Sequence, residues 1–198
     1  MASLFLIIFI TKYHFYLFLE ALTYSKNRAT LKVLEMLDTD LSHSKRLRNT
    51  FGEFVTGVCV VTLLDNDGSP TGVTVNSFSS LSLDPPLCVL SLGNSQASLS
   101  LLAEQKEFVV NVLSASQEEI AWQFAKPSRN KFANVKSRPS VVVWPPSIDG
   151  SLAHFECVVS QVLDGGDHKL IVGAVRNFWQ GAGDPLVFHR GKMSSFGG

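Results

Sequence analysis

The sequence predicts a mainly β protein, an antiparallel barrel into which a few short helices are inserted. Apolar runs with the composition of β-strands recur along the chain, and several of them are joined by short turns. Helical patterns do not alternate with these runs, which disfavours a parallel sheet with crossover helices. Closing an antiparallel sheet into a barrel also hides long apolar strand edges that would otherwise be exposed.

The first half of the barrel region is predicted to contain a helix, a β-hairpin and further strands. Leu47, Phe51 and Phe54 recur at helical spacing, which predicts an amphipathic helix from about Ser44. The sequence DNDGSP is typical of a turn, and it joins two predicted strands into a hairpin. The expected elements are strands at 58–64 and 71–78 with the turn at 65–70, a strand at 86–92, a short helix at 94–105 and a strand at 107–113.

The second half is predicted to contain another helix and four more strands. Ser116 followed by Glu119 matches a capping box that opens a helix ending near Ala125. Residues 127–135 are expected to form an exposed loop. Strands are expected at 140–144, 152–163, 168–179 and 185–190, with a turn at 165–168 between the second and third of them.

Residues 1–40 differ in composition from the rest of the chain. The uninterrupted apolar run at 4–10 is shorter than the ~20 residues that span a bilayer, and no basic residue precedes it as in a secretory signal. A weakly membrane-associated segment, an extra helix and translated sequence upstream of the natural start remain open. The last is favoured because ordinary soluble composition begins after Met36. We therefore expect an apolar extension at 1–40, not necessarily native, followed by one domain at 41–198.

The charge and the cysteines narrow the class of protein. The chain has 17 basic and 17 acidic residues, so it lacks the positive field with which proteins hold nucleic acid. Each of its three cysteines lies inside an apolar run, and no C-x-x-C pair occurs. This pattern indicates buried, reduced thiols in a cytoplasmic protein.

Most sequence signatures of self-contained catalysis are missing. The five histidines lack the spacing of a local metal site, and neither a G-x-S-x-G elbow nor a P-loop is found. No G-x-G-x-x-G follows a predicted strand, so a nicotinamide cofactor would bind by another route. An enzyme of this sequence would therefore take its chemistry from a cofactor.

The stretch TVNSFSSLSLDPPL, residues 74–87, combines short neutral polar side chains with apolar ones. Such side chains match the polar rim of a flavin ring without bringing charge to it, and Gly72 allows close approach of the backbone. The predicted helix that opens at 94–98 offers a phosphate site at its N-terminus, to which Lys131 adds positive charge. The alternative interpretation, an edge strand followed by ordinary helix-capping residues, stays open on this pattern alone.

Seven segments of the chain carry a family resemblance. They are FGEFVTGVCVVT, GVTVNSFSSLSLDPPL, FVVNVLSASQEEIAWQFA, KFANV, GSLAHFECVV, GGDHKLIVGAV and PLVFHRG. With these segments in family order, the chain from about 47 to 191 resembles the short-chain flavin reductases, the reductase components of two-component flavin-dependent monooxygenases. It is most similar to reductases that serve hydroxylases of aromatic rings.

The resemblance implies a fold, ligands and site residues. It implies a split β-barrel of the FMN-binding type, usually a homodimer, that binds FMN or FAD. The implied flavin contacts are Thr71, Gly72, Val73, Thr74, Asn76, Ser77, Ser91, Leu92, Gly93, Ala97, Ser98, Lys131 and Phe132. NADH would lie near His168 and near Phe188, His189, Arg190 and Gly191.

The implied activity is hydride transfer from NADH to the flavin, with the reduced flavin passing to an oxygenase partner. His168 would orient the nicotinamide, and Arg190 would either pair with pyrophosphate or stay a solvated charge. NADPH is less expected because no basic pair for a 2′-phosphate is evident. A non-catalytic flavin-binding protein and a pyridoxamine-phosphate-oxidase-like protein are the alternatives. Relatives often carry Lys or Arg where this chain has Asn94, Gln96 and Ala97, which predicts loose flavin binding.

Overall fold

A computed structural model describes residues 41–196 of the chain. The chain divides into two compact units, Met1–Phe51 and Gly52–Gly198. Helix α1, Leu41–Phe51, is the described part of the first unit and confirms the helix predicted from about Ser44. The apolar extension predicted at 1–40 lies outside the described residues. Across 41–196, no helix is long and apolar enough to cross a membrane.

The second unit is built from antiparallel strands that range from two to 13 residues in length. They are β1 (Thr56–Gly57), β2 (Cys59–Leu64), β3 (Pro70–Val75), β4 (Ser79–Leu83), β5 (Pro86–Gly93), β6 (Glu107–Val112), β7 (Ser137–Arg138), β8 (Ser147–Ile148), β9 (Ala153–Gly165), β10 (His168–Gln180), β11 (Leu186–His189) and β12 (Lys192–Ser195). Seven of the predicted strands are confirmed as β2, β3, β5, β6, β9, β10 and β11. The turns predicted after β2 and after β9 are also present.

The strands form a large sheet and two small ones. The seven-stranded sheet has the order β3-β2-β6-β9-β10-β5-β4, and a three-stranded sheet has the order β1-β11-β12. The chain passes from the three-stranded sheet to the seven-stranded sheet at Val58. The Val58 N–H donates to the Leu186 carbonyl, and the Val58 carbonyl accepts from the Leu113 N–H. The predicted mainly β, antiparallel class is confirmed, and its strands are split between sheets rather than closed into one ring.

Two α-helices cover the large sheet, α2 (Ala97–Gln105) and α3 (Glu118–Ala125). Both were predicted, although α2 begins three residues later than expected. The capping box lies elsewhere than expected: Ser114 and Gln117 form it at a short 3-10 turn before α3, not Ser116 and Glu119. Gln117 is drawn into this position because its side-chain amide also donates to the Asp149 carbonyl.

The strand predicted at 140–144 is absent, and the prediction was wrong there. The N–H groups of Val141 and Val142 donate to the buried Glu156 carboxylate instead of to a neighbouring strand. The Trp144 N–H donates to Glu107 in the same way. These carboxylates hold the segment as a loop, and β4 and β12 are strands that the sequence analysis did not predict.

Two apolar clusters form the core of the second unit. The larger fills the space under the large sheet and α2, with Leu90, Leu102 and Phe108 among its fully buried members. The smaller cluster packs α3 against the three-stranded sheet through Phe124 and Leu186. The groove between the two helices, where β3 passes, is left open and forms the cavity described below.

Candidate functional site

A cavity of about 630 Å³ lies between β3, α2, the end of α3 and the loop after it. We call it the main cavity. Six residues predicted to contact a flavin line it: Thr71, Gly72, Val73, Ala97, Ser98 and Lys131. These residues come from three separate segments of the sequence, and the fold brings them together around one space.

The N-terminus of α2 opens into the main cavity without a side-chain cap. Gln96 occupies the capping position, but its side-chain oxygen accepts from the Gly93 N–H and makes no capping bond. The first amides of a helix point along its axis and carry partial positive charge, so they bind anions such as phosphate. Ser98 adds a hydroxyl at the same end of the helix. This end of the cavity is therefore suited to a phosphate group.

Lys131 is one of two lysines that line the cavity, with the exposed Lys126, and it lies in a setting that the sequence did not predict. The residue is only 9% exposed, although the surrounding loop is open to solvent. Its ammonium donates to the Phe124 carbonyl at 2.8 Å and to the Lys126 carbonyl, both at the end of α3. Burial lowers the pKa of Lys131 below its ordinary value. The neighbouring Phe132 does not line the cavity and packs edge-on against Phe124 at 5.1 Å.

Gly72 is required by the protein's own packing at the cavity wall. A Cβ atom at this position would lie 2.6 Å from the Val61 carbonyl oxygen and 3.0 Å from the Phe124 ring. The space in front of Gly72 is thus already used by Phe124, and the glycine brings α3 close to β3. The sequence predicts instead that Gly72 allows a ligand to approach the backbone closely.

A small cavity of about 190 Å³ continues along β3 beyond the main one. The aromatic side chains of Trp122 and Phe188 line it, together with Thr74 and Asn76. Thr74 directs its hydroxyl to the Ala121 carbonyl at 2.6 Å, while Asn76 is exposed. Aromatic walls and one amide suit a flat ring with a polar rim. Trp122 was not predicted as a site residue, because the sequence does not show which face of α3 meets β3.

Four further residues predicted to contact a flavin are Ser77, Ser91, Leu92 and Gly93. The hydroxyl of Ser77 bonds to the backbone of Ser91 on β5, and Leu92 is buried in the core. Gly93 lies at the end of β5, next to the loop that leads to α2. Neither cavity is lined by these four residues.

His168 stands beside that loop at the start of β10. It is paired in register with Gly93, and its Nε2 atom would lie 3.8 Å from a Cβ atom built there. Asn94 joins the loop after β5 to the turn between β9 and β10, because its side-chain amide donates to the Gly166 carbonyl at 3.1 Å. His168 Nδ1 is 2.7 Å from Asp167 Oδ1, a bond that lowers the pKa of the Asp167 carboxyl. The histidine is thus oriented by Asp167, and its side chain is half-exposed near the end of the main cavity at which α2 begins.

The segment 188–191 is divided between the small cavity and a surface ion pair. Phe188 lines the cavity, whereas Arg190 and Gly191 both have positive φ values, of 49° and 79°, and form the two-residue turn between β11 and β12. Arg190 donates from Nε and Nη2 to the Glu53 carboxylate, and His189 Nε2 lies 4.0 Å from the same group. The Arg190 side chain is 66% exposed, so it is a solvated charge paired with Glu53, and its pairing with a pyrophosphate stays a prediction.

The chain is similar in sequence and in structure to known proteins. A family model described as a flavin reductase like domain matches residues 51–197, which include every residue that lines the two cavities. The reductase component of the flavin-dependent trigonelline monooxygenase of Acinetobacter baylyi is 39% identical over 153 residues, which are 74% of this chain and 47% of that protein. The chain thus spans about half the length of this relative, 47%.

Two further proteins match over most of their length. The FMN reductase (NADH) SmoA of Agrobacterium fabrum is 39% identical over 160 residues, which cover 78% of this chain and 87% of that protein. The NADH:FAD oxidoreductase SgcE6 of Streptomyces globisporus, solved in complex with NAD and FAD fragments, has a TM-score of 0.75 at 35% identity. That alignment covers 80% of this chain and 95% of the other.

Proposed function

The chain belongs to the flavin reductase-like domain family, and from this we propose that it is an NADH-dependent flavin reductase. In this proposal it reduces FMN or FAD by hydride transfer from NADH and supplies the reduced flavin to a monooxygenase. The observation that carries the proposal is the pair of adjoining cavities along β3, one with an uncapped helix N-terminus and a lysine, the other with aromatic walls.

The residues of the two cavities fit the parts of a flavin. The α2 N-terminus, Ser98 and Lys131 supply amide, hydroxyl and ammonium donors, which are the groups that hold a phosphate. Trp122 and Phe188 supply apolar faces for a ring, and Asn76 offers an amide to its polar rim. When bound, a flavin provides the hydride acceptor for NADH. The protein's part is to hold the two reactants in reacting geometry, a contribution that can reach ~7–11 kcal/mol.

His168 is proposed to orient the nicotinamide of NADH. Its Nδ1 is bonded to Asp167, so Nε2 stays available at the half-exposed edge of the ring. The position beside Gly93 supports this role, because the loop after Gly93 leads into the phosphate end of the main cavity. Arg190 is proposed to contribute only after exchanging its bond with Glu53 for a nucleotide phosphate.

The assembly and location are proposed from the family and from the cysteines. We propose a homodimer, and an oxygenase as the recipient of reduced flavin, since several relatives are themselves named reductase components of monooxygenases. Cysteines 59, 88 and 157 are buried and unbridged, which supports a reducing, cytoplasmic location. Burial raises the pKa of the Cys59 thiol to about 12, so this cysteine stays protonated.

The test measures the rate of NADH oxidation from a fixed starting concentration of NADH, with FMN, FAD and riboflavin added in turn. Flavin-dependent oxidation of NADH, with NADPH a poorer donor, is the expected result. Flavin binding without any oxidation of either nucleotide would contradict the proposal and favour a non-catalytic flavin-binding protein.

A further inference from the structure

We propose that the far end of the main cavity is a subsite for the adenosine half of FAD, so that the protein selects FAD over FMN. The subsite is formed by Asp65 and Asn66 in the turn after β2 and by Ser100 and Glu104 on α2. The proposal rests on the proposed function, because it takes the main cavity to be the flavin site. It adds which of the two flavins the cavity accommodates.

The main cavity follows α2 along most of its length. Ala97 and Ser98 line it at the N-terminus of the helix, and Glu104 lines it one residue before the helix ends. At 1.5 Å rise per residue, Ala97 and Glu104 are separated by ~10 Å along the helix axis. A flavin phosphate bound at the N-terminus would therefore leave about two helical turns of cavity beyond it, at 3.6 residues per turn. FMN ends at its phosphate, whereas FAD continues with a second phosphate, a ribose and adenine.

The chemistry of the cavity changes along the same direction. Near the helix N-terminus the donors are amides and the Ser98 hydroxyl, which suit phosphate, while Lys126 and Lys131 line the cavity from the end of α3 and the loop after it. At the far end two carboxylates, Asp65 and Glu104, line the cavity from opposite elements. Carboxylates repel a free phosphate, but they accept hydrogen bonds from ribose hydroxyls, as an acidic residue does in dinucleotide-binding folds. The far end is therefore matched to a sugar and not to another anion.

The turn that presents Asp65 is held in place by several hydrogen bonds. The Asp65 N–H donates to the Ser69 carbonyl at 2.7 Å, and the Gly68 N–H donates back to the Asp65 carbonyl at 2.9 Å. Gln105, the last residue of α2, donates from its side chain to that same carbonyl at 3.4 Å. The turn and the helix are thus joined at the base of the subsite, to which each contributes one carboxylate.

The test compares equilibrium binding of FAD and FMN by isothermal titration calorimetry, in the absence of NADH. We expect the unmodified chain to bind FAD at least about tenfold more tightly than FMN, since one hydrogen bond to a charged group contributes about this factor. The double variant Asp65→Asn/Glu104→Gln should reduce the FAD-to-FMN ratio by at least about tenfold. Glu119→Gln, an exposed acid on α3 that lines neither cavity, is the matched control and should leave the ratio unchanged.

Three results would overturn the subsite: equal affinity for the two flavins in the unmodified chain, an unchanged ratio in the double variant, or an effect of that variant on the KM for NADH alone. The last result would assign the carboxylates to the ribose of NADH. Melting temperatures of all variants establish that each is folded. Rates of NADH oxidation are measured separately. Selective FAD binding without NADH oxidation would therefore support the subsite while contradicting the reductase function.

Discussion

The Ser77 hydroxyl oxygen lies 3.0 Å from both the amide nitrogen and the carbonyl oxygen of Ser91. The hydroxyl accepts from the first and donates to the second, so one side chain satisfies two backbone groups of β5. Ser77 lies between β3, which ends at Val75, and β4, which begins at Ser79, so the contact holds this connection against β5. From the sequence, this hydroxyl is expected at the rim of a flavin. The structure gives it a structural partner, and Asn76 is the neighbour that lines a cavity.

Ser77→Ala is expected to destabilise the protein. It removes both hydrogen bonds and leaves a half-buried amide and carbonyl of β5 without this partner, at a cost of about 1–3 kcal/mol. Urea unfolding without flavin measures the change. Ser80→Ala, an exposed serine on β4, is the matched control and should stay within about 0.5 kcal/mol of the unmodified protein. Equal stability of the two variants would show that the Ser77 contact contributes nothing.

Asn76→Ala is expected to weaken flavin binding while leaving the fold intact. The side chain is exposed and lines the small cavity, so its loss removes one polar contact to a bound ring, worth ~0.5–1.5 kcal/mol. This predicts up to about a tenfold rise in the flavin Kd, measured by fluorescence titration beside a melting curve. An unchanged Kd would place the ring outside the small cavity.

The hairpins were predictable because their signals are local. The DNDGSP turn and the apolar runs around it define β2 and β3, and GGDH does the same for β9 and β10. Ser114 and Ser116 both begin a sequence that fits a capping box, and local pattern does not choose between them. The choice is made by Gln117, through its bond to the distant Asp149 carbonyl.

The predictions that failed concern residues whose positions depend on partners far away in the sequence. Residues 140–144 have the composition of a strand, but the pairing of Val141 and Val142 with Glu156 could not be read from that composition. The polar neighbours of Lys131 in the sequence predict a surface position for it. Only the fold shows that its ammonium faces the end of α3. The cavity lining was predicted where the resemblance supplied it, and Trp122 was missed.

Glu156→Gln is expected to destabilise the protein most at neutral pH. Burial alone would raise the pKa of this carboxyl, but hydrogen bonds from Val141, Val142 and Asn177 together hold it below its ordinary value. An amide cannot accept all of these bonds, so we expect a loss of about 1–3 kcal/mol at pH 7.

The same carboxyl predicts a pH dependence. Because its pKa is lower in the folded protein, the ionised group stabilises fully above the unfolded value, about 4.3. This stabilisation is lost as the pH falls through the lower, folded value. The difference in unfolding free energy between the unmodified chain and Glu156→Gln should therefore shrink on acidification. A constant difference from pH 7 down to the acid limit would rule out this role, and Glu119→Gln serves as the exposed control.

Gly173→Ala is expected to destabilise the core. A Cβ atom there would lie 2.5 Å from Phe108 Cζ and 3.0 Å from Cys88 Sγ, and both neighbours are buried. Overpacking of this kind costs about 1–3 kcal/mol. Gly57→Ala is the control, because nothing lies within 4 Å of its Cβ position. Thermal melting of the two variants measures the effect. Equal melting temperatures would mean that the core accommodates the added methyl group at Gly173.

His168→Ala is expected to impair the use of NADH and to spare flavin binding. His168 lines neither cavity, but it stands beside Gly93 at the phosphate end of the main one. Loss of an orienting contact should lower kcat/KM for NADH at least about tenfold, which corresponds to ~1.4 kcal/mol of transition-state stabilisation. Asp167→Asn should give a smaller loss in the same direction, since it weakens the bond that orients the ring. Asp164→Asn removes the carboxylate that pairs with Lys169 on the same hairpin, and it should leave the NADH kinetics unchanged. If the His168 and Asp164 variants behave alike, the histidine only shapes the turn.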